Sequence, residues 1–121
     1  MLARLLLILI AIATADVLAA DPPEKSFSLA IARGAVPKEQ RVLRVDKGDA
    51  VRIRLTSDAS GEIHLHGYRL EARLTPGNPA ELAFKAYATG RYRIEWHRAG
   101  ETSGSGGHHS APLASLEVRP K

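Results

Sequence analysis

Residues 42–55 read VLRVDKGDAVRIRL, and the alternation inside this stretch decides the fold. Val42, Leu43 and Val45 form a short apolar run, and Asp46, Lys47, Gly48 and Asp49 then supply a turn. Beyond it Val51, Ile53 and Leu55 alternate with Arg52 and Arg54, which is the period of a strand with one buried and one wet face. The same signature repeats outward. Upstream, Phe27, Leu29 and Ile31 share a face until Gly34 and Pro37 end the run. Downstream, Ile63 and Leu65, then Leu70, Ala72 and Leu74, lead into the breaking run Pro76, Gly77, Asn78 and Pro79. Ala80, Leu82, Phe84 and Ala86 follow, then Tyr92, Ile94 and Trp96 after Gly90, and a final apolar stretch at residues 113–118. Seven or eight short strands without a helix after residue 20 predict an all-β Greek-key sandwich or barrel.

The front of the chain has a different character. Residues 1–20 carry Arg4, an apolar run over residues 5–13, and Ala19 and Ala20 at the end, the pattern of a cleaved signal peptide. The run is short for a bilayer span, so no permanent membrane anchor is expected after cleavage. Residues 21–121 are then one domain, periplasmic or secreted. The 121-residue chain contains no cysteine, and its single methionine is Met1. Disulfides, thiolate chemistry and soft sulfur ligands are therefore absent from the mature domain.

A net charge of +4 and a pI near 9.8 invite a nucleic-acid reading. The arginines argue against it: Arg52 and Arg54 flank Ile53, and Arg91 and Arg93 flank Tyr92, as on the solvated face of a sheet. An exported address also argues against nucleic acid as a partner, while weak attraction to anionic lipid or to an acidic partner suits the charge.

All five histidines fall after residue 63: His64 and His66 in HLHGY, His97 closing RYRIEWH, and His108 with His109 in a glycine-rich loop. In an extended strand residues i and i+2 project to one side, so His64 and His66 can point together. The loop, of low complexity over residues 103–107, would let His108 or His109 return towards His97. Imidazoles without sulfur suit divalent copper, zinc or nickel, with copper the favoured ion and zinc its alternative. With no metal bound, the same rings form a patch that charges as the pH falls. Trp96 reads as packing, and Glu62, Glu95 and Glu101 as solvated residues rather than catalytic ones.

The segments LRVDKGDAVRIRL, HLHGY, TPGNPAEL, GRYRIEWH and HHSAPLASLEV occur in the order found in cupredoxins, and across most of the mature chain the sequence resembles plastocyanin-like domains and the copper domain of cytochrome c oxidase subunit II. The resemblance implies that His64 or His66 takes the place of the upstream ligand. It also puts His97 near the position of the family's cysteine, and His108 or His109 at the later histidine. HLHG is similar to the histidine pair of multicopper oxidases, but the histidine and cysteine run that completes those centres is missing. Without cysteine or an axial methionine a blue copper site is excluded.

Three functional readings follow. The first is an exported module that binds copper through His64, His66, His97, His108 and His109 for storage, delivery or tolerance, with no catalytic residues. The second is a metal-free interaction module that engages a protein or envelope partner through its basic face. The third is a copper or zinc enzyme, ranked last because no acid and base pair or substrate-binding insertion is evident.

Overall fold

The computed structural model describes residues 23–101 and 111–121. Within them the chain forms eight strands: β1 (Glu24–Ile31), β2 (Val42–Asp46), β3 (Ala50–Ser57), β4 (Gly61–Leu65), β5 (Leu70–Leu74), β6 (Ala80–Lys85), β7 (Gly90–Arg98) and β8 (Ala114–Arg119). One turn of 3₁₀ helix, Lys38–Gln40, precedes β2. The signal-peptide expectation falls on residues 1–20 and lies outside the described residues. Among the described residues no helix is long and apolar enough to cross a membrane.

Alternation dictates the layering. In β3 every second side chain is buried, Val51, Ile53, Leu55 and Ser57, while Arg52 and Arg54 face water. β3 is the centre of a three-stranded sheet, parallel to β1 and antiparallel to β6, and its register sets Leu55 beside Leu29 and Ile53 beside Leu82. The second sheet has five strands in the order β2-β8-β7-β4-β5, with β2 parallel to β8 and the other neighbours antiparallel. Its inner face contributes Leu43, Val45, Ile63, Leu65, Leu74, Ile94, Leu116 and Val118 to the same core. Burying these two apolar faces against each other is the main stabilisation of a chain without disulfides.

The turn in VLRVDKGDAVRIRL is a corner between the sheets, because β2 and β3 belong to different layers. Gly48 has φ 95°, a left-handed conformation that costs glycine little. The Asp49 carboxylate accepts the Asp46 backbone N–H at 2.8 Å, and Gly48 donates to the Ala86 carbonyl at 2.7 Å. Asp49 is thus satisfied although nearly buried.

Candidate metal centre

The five-stranded sheet has a second face, and its residues are fixed by parity. Because Ile63 and Leu65 point inward along β4, Glu62 and His64 point outward. On β7 Ile94 and Trp96 face the core side, so Arg93, Glu95 and His97 take the outer side. Antiparallel pairing puts His64 opposite Glu95 and Glu62 opposite His97, and β5 sets Glu71 opposite His64 and Arg73 opposite Glu62. Directly opposed residues share a face at close range. His66 lies one step past β4, where its backbone N–H still donates to the Arg93 carbonyl at 3.0 Å.

Three of the five predicted histidines are thereby brought together. The His64 and His97 rings meet edge to face with centroids 4.7 Å apart, and His64 and His66 stack with centroids 6.4 Å apart. The side chain of His64 is 27% exposed, against 52% for His66 and 49% for His97, so His64 is the innermost of the three. They gather on the outer face of a sheet, not within the core. His108 and His109 lie outside the described residues.

Carboxylates surround these rings. His66 Nε2 lies 3.0 Å from Glu95 Oε2, and His97 Nε2 lies 3.6 Å from the same oxygen. His64 Nε2 is 3.3 Å from Glu62 Oε2, and its Nδ1 is 3.5 Å from Glu71 Oε1. Arg73 and Arg93 close the network on Glu62 and Glu95 at 3.0 and 3.1 Å. Glu62 and Glu95 are therefore ring partners, whereas their sequence context suggests solvated residues. The parity of Glu62 with His64, and of Glu95 with His97, is visible in the sequence. The pairing of β4 with β7 is what joins the two sets. As the side chains stand, no group of three or more His, Cys, Asp or Glu among the described residues is arranged to hold a metal ion.

The hydrogen bond from Arg73, then that from His64, holds the Glu62 carboxyl below its ordinary value of 4.5. Burial by itself pushes Glu95 up, but the hydrogen bond of His66 and the charges of His66, Arg93 and His97 outweigh it and leave Glu95 also below 4.5. A carboxyl depressed in the folded state adds stability that is present above its unfolded value and is lost as pH falls through the folded one. The urea midpoint should accordingly decline below pH 4.5, and E62Q/E95Q should decline less steeply across that window. Equal slopes for the two proteins would show that these contacts do not bear on folding.

The donors suit a particular class of ion. Imidazole nitrogen and carboxylate oxygen without sulfur fit a divalent ion of intermediate softness, cupric or zinc, and not cuprous ion or a blue centre.

No protein-family model matches the sequence, and no curated protein is significantly similar to it. Solved structures do resemble its fold. A copper binding protein studied in solution in its apo form superposes with a TM-score of 0.59 at 10% identity, over 84% of this chain and 93% of that one. A chain of a heme-copper terminal oxidase dimer gives 0.54 at 22% identity, over 77% of this chain and 60% of that one. The blue copper oxidase of Nitrosomonas europaea gives 0.56 at 19% identity, over 82% of this chain but only 40% of its own length. At these identities the likeness is one of fold. The two packed sheets, their eight strands and these neighbours agree: the described residues have the fold of a cupredoxin-like β-sandwich, and the chain has no cysteine for a blue copper centre.

Proposed function

We propose that the domain is an exported copper-binding protein in which a histidine cluster holds the ion as cargo, for storage, delivery or tolerance. The observation that carries this reading is the edge contact of His64 with His97 across β4 and β7, with Glu95 Oε2 flanked by the Nε2 atoms of His66 and His97. Two rings at this spacing can reach one ion, since ligand nitrogens about 2.0 Å from a common centre lie within about 4 Å of each other. The rings of His66 and His97 are half exposed and can re-aim about their side-chain bonds once Glu95 releases them, and His108 and His109 offer further imidazoles. Export rests on residues 1–20, whose signal pattern belongs to the same proposal. We assign no catalytic residue, and the oxidase that the domain resembles is longer than the part it matches.

Titration with cupric ion, followed by absorbance and paramagnetic resonance, should give one ion per chain bound at least about tenfold tighter than by a scrambled histidine peptide. H64A/H97A should weaken that binding by more than about tenfold, and H66A by less. A parallel zinc titration identifies the preferred ion. Affinity equal to that of the scrambled peptide would end the metal reading.

A metal-free interaction module is the second reading, and the carboxylate contacts of all three described rings favour it. Arg52 and Arg54 lie on the three-stranded sheet and Arg91 and Arg93 on the five-stranded one, so this reading predicts that reversing the charge of one of the two pairs abolishes partner capture while alanine at His64, His66 and His97 leaves it intact.

A further inference from the structure

Where β7 ends, a cleft of about 990 Å³ opens beside His64, His97 and Trp96. Three arginines from separate stretches line it: Arg33 in the turn after β1, Arg41 following the 3₁₀ turn, and Arg98 at the end of β7. Six other arginines on this surface pair with carboxylates. Arg44 and Arg91 pair with Glu117, Arg52 with Glu24 and Glu81, Arg73 with Glu62, Arg93 with Glu95, and Arg119 with Asp46. Among the described residues the guanidinium groups of Arg33, Arg41 and Arg98 pair with no carboxylate, although Arg41 Nε donates to the Val36 carbonyl at 3.3 Å. Two other arginines are similarly unmatched: Arg54 is on the opposite sheet, in register with Glu81, and Arg69 follows β4.

The carboxylates in the lining do not cancel this charge. Glu62 and Glu95 are already engaged by Arg73, Arg93 and the rings, which leaves Glu101 against three guanidinium groups. The backbone of Arg33 gives a second indication. Ala32 and Ala35 exchange two backbone hydrogen bonds across Arg33 and Gly34, and Arg33 holds φ 53°. Asparagine or glycine would occupy that place in a two-residue turn at lower cost, by about 1 kcal/mol. The Asp58 carboxylate nevertheless pins the Arg33 N–H at 3.0 Å, so a strained arginine is kept on the rim of the cleft.

We propose that this cleft binds a small oxyanion of charge two or more, a polycarboxylate or a phosphate, through the guanidinium groups of Arg33, Arg41 and Arg98. Planar forks of N–H donors match either anion, and several forks lining one cleft select for multiple charge. The cleft shares His64 and His97 in its lining with the metal reading but calls on different side chains, so an anion seated on the arginines lies next to both rings.

The test uses the full chain freed of metal. Citrate and inorganic phosphate are titrated separately at constant ionic strength in chloride, read by calorimetry and by the fluorescence of Trp96, the protein's one tryptophan. Saturable binding is expected, weakened at least about tenfold in R33Q/R98Q and by less than about twofold in R54Q/R69Q. Arg41 is left in place because its side chain also holds the Val36 carbonyl. Saturation by citrate alone identifies carboxylate as the ligand, and saturation by phosphate alone identifies phosphate. A response no greater than the chloride control, or an equal loss in R54Q/R69Q, overturns the proposal. Because metal is absent throughout, the result is independent of the cupric titration, and either site can fail while the other stands.

Discussion

Alanine in place of Gly61 is expected to destabilise the domain by about 3 kcal/mol, near the upper end of what overpacking costs. Gly61 opens β4, is buried, and pairs with Arg98 on β7 and Leu74 on β5. A β-carbon there would stand 2.5 Å from the His97 carbonyl oxygen and 2.6 Å from Cη2 of Trp96. The tryptophan ring can tilt, but the carbonyl belongs to the backbone of a paired strand and gives way only if β7 shifts. That is the reason for the size of the effect. The shift would also carry His97 away from His64, so cupric affinity should fall together with stability in G61A. Thermal and urea unfolding measure the first consequence, with the melting temperature dropping by roughly 15 °C. A variant within about 0.5 kcal/mol of the parent would mean that the strand end accommodates the methyl group without cost.

The second large effect is expected at Leu55, with a different signature. Leu55 is fully buried near the end of β3, beside Leu29 of β1 and Ala80 of β6. Leu55→Ala removes buried methyl groups and leaves a cavity that two flanking strands prevent from closing, which costs about 3 to 4 kcal/mol. Leu55→Met, of similar volume, should cost less than about 1.5 kcal/mol. The three described histidines lie on the outer face of the other sheet, across the core from Leu55. Cupric affinity per folded molecule should therefore be unchanged in L55A, whereas it falls in G61A. Equal loss of binding in both would show that the metal response tracks folding and not the geometry of the β4–β7 pair.

The acid dependence tied to Glu62 and Glu95 and the anion titration of the arginine cleft probe two adjoining sides of the same strand end. One concerns carboxylates already matched by cations, the other cations without a match. They share β7, which carries Glu95 and His97 on its outer face and ends in Arg98.

The strands themselves were legible from period two alone. Residues 42–55 announce two strands and a turn, and the burial of Val51, Ile53 and Leu55 against the exposure of Arg52 and Arg54 follows the pattern as read. Trp96 likewise packs against the core, as its place in the series Tyr92, Ile94, Trp96 predicts. The absence of cysteine also needs no coordinates, because composition settles it. What parity could not reveal is which strand lies beside which.

In a local pattern His64 has one outward side but no neighbour, and nothing near it in sequence names Glu95 or His97. Only the antiparallel pairing of β4 with β7 puts those residues in register, and only the pairing of β4 with β5 adds Glu71. The arginine cleft is more remote still, since residues 33, 41 and 98 come together through three separate connections. The physical reason is one of range. Side-chain alternation and turn chemistry act over two to four residues and are written into the chain, whereas a site assembled from several strands exists only once the two apolar faces have closed on each other.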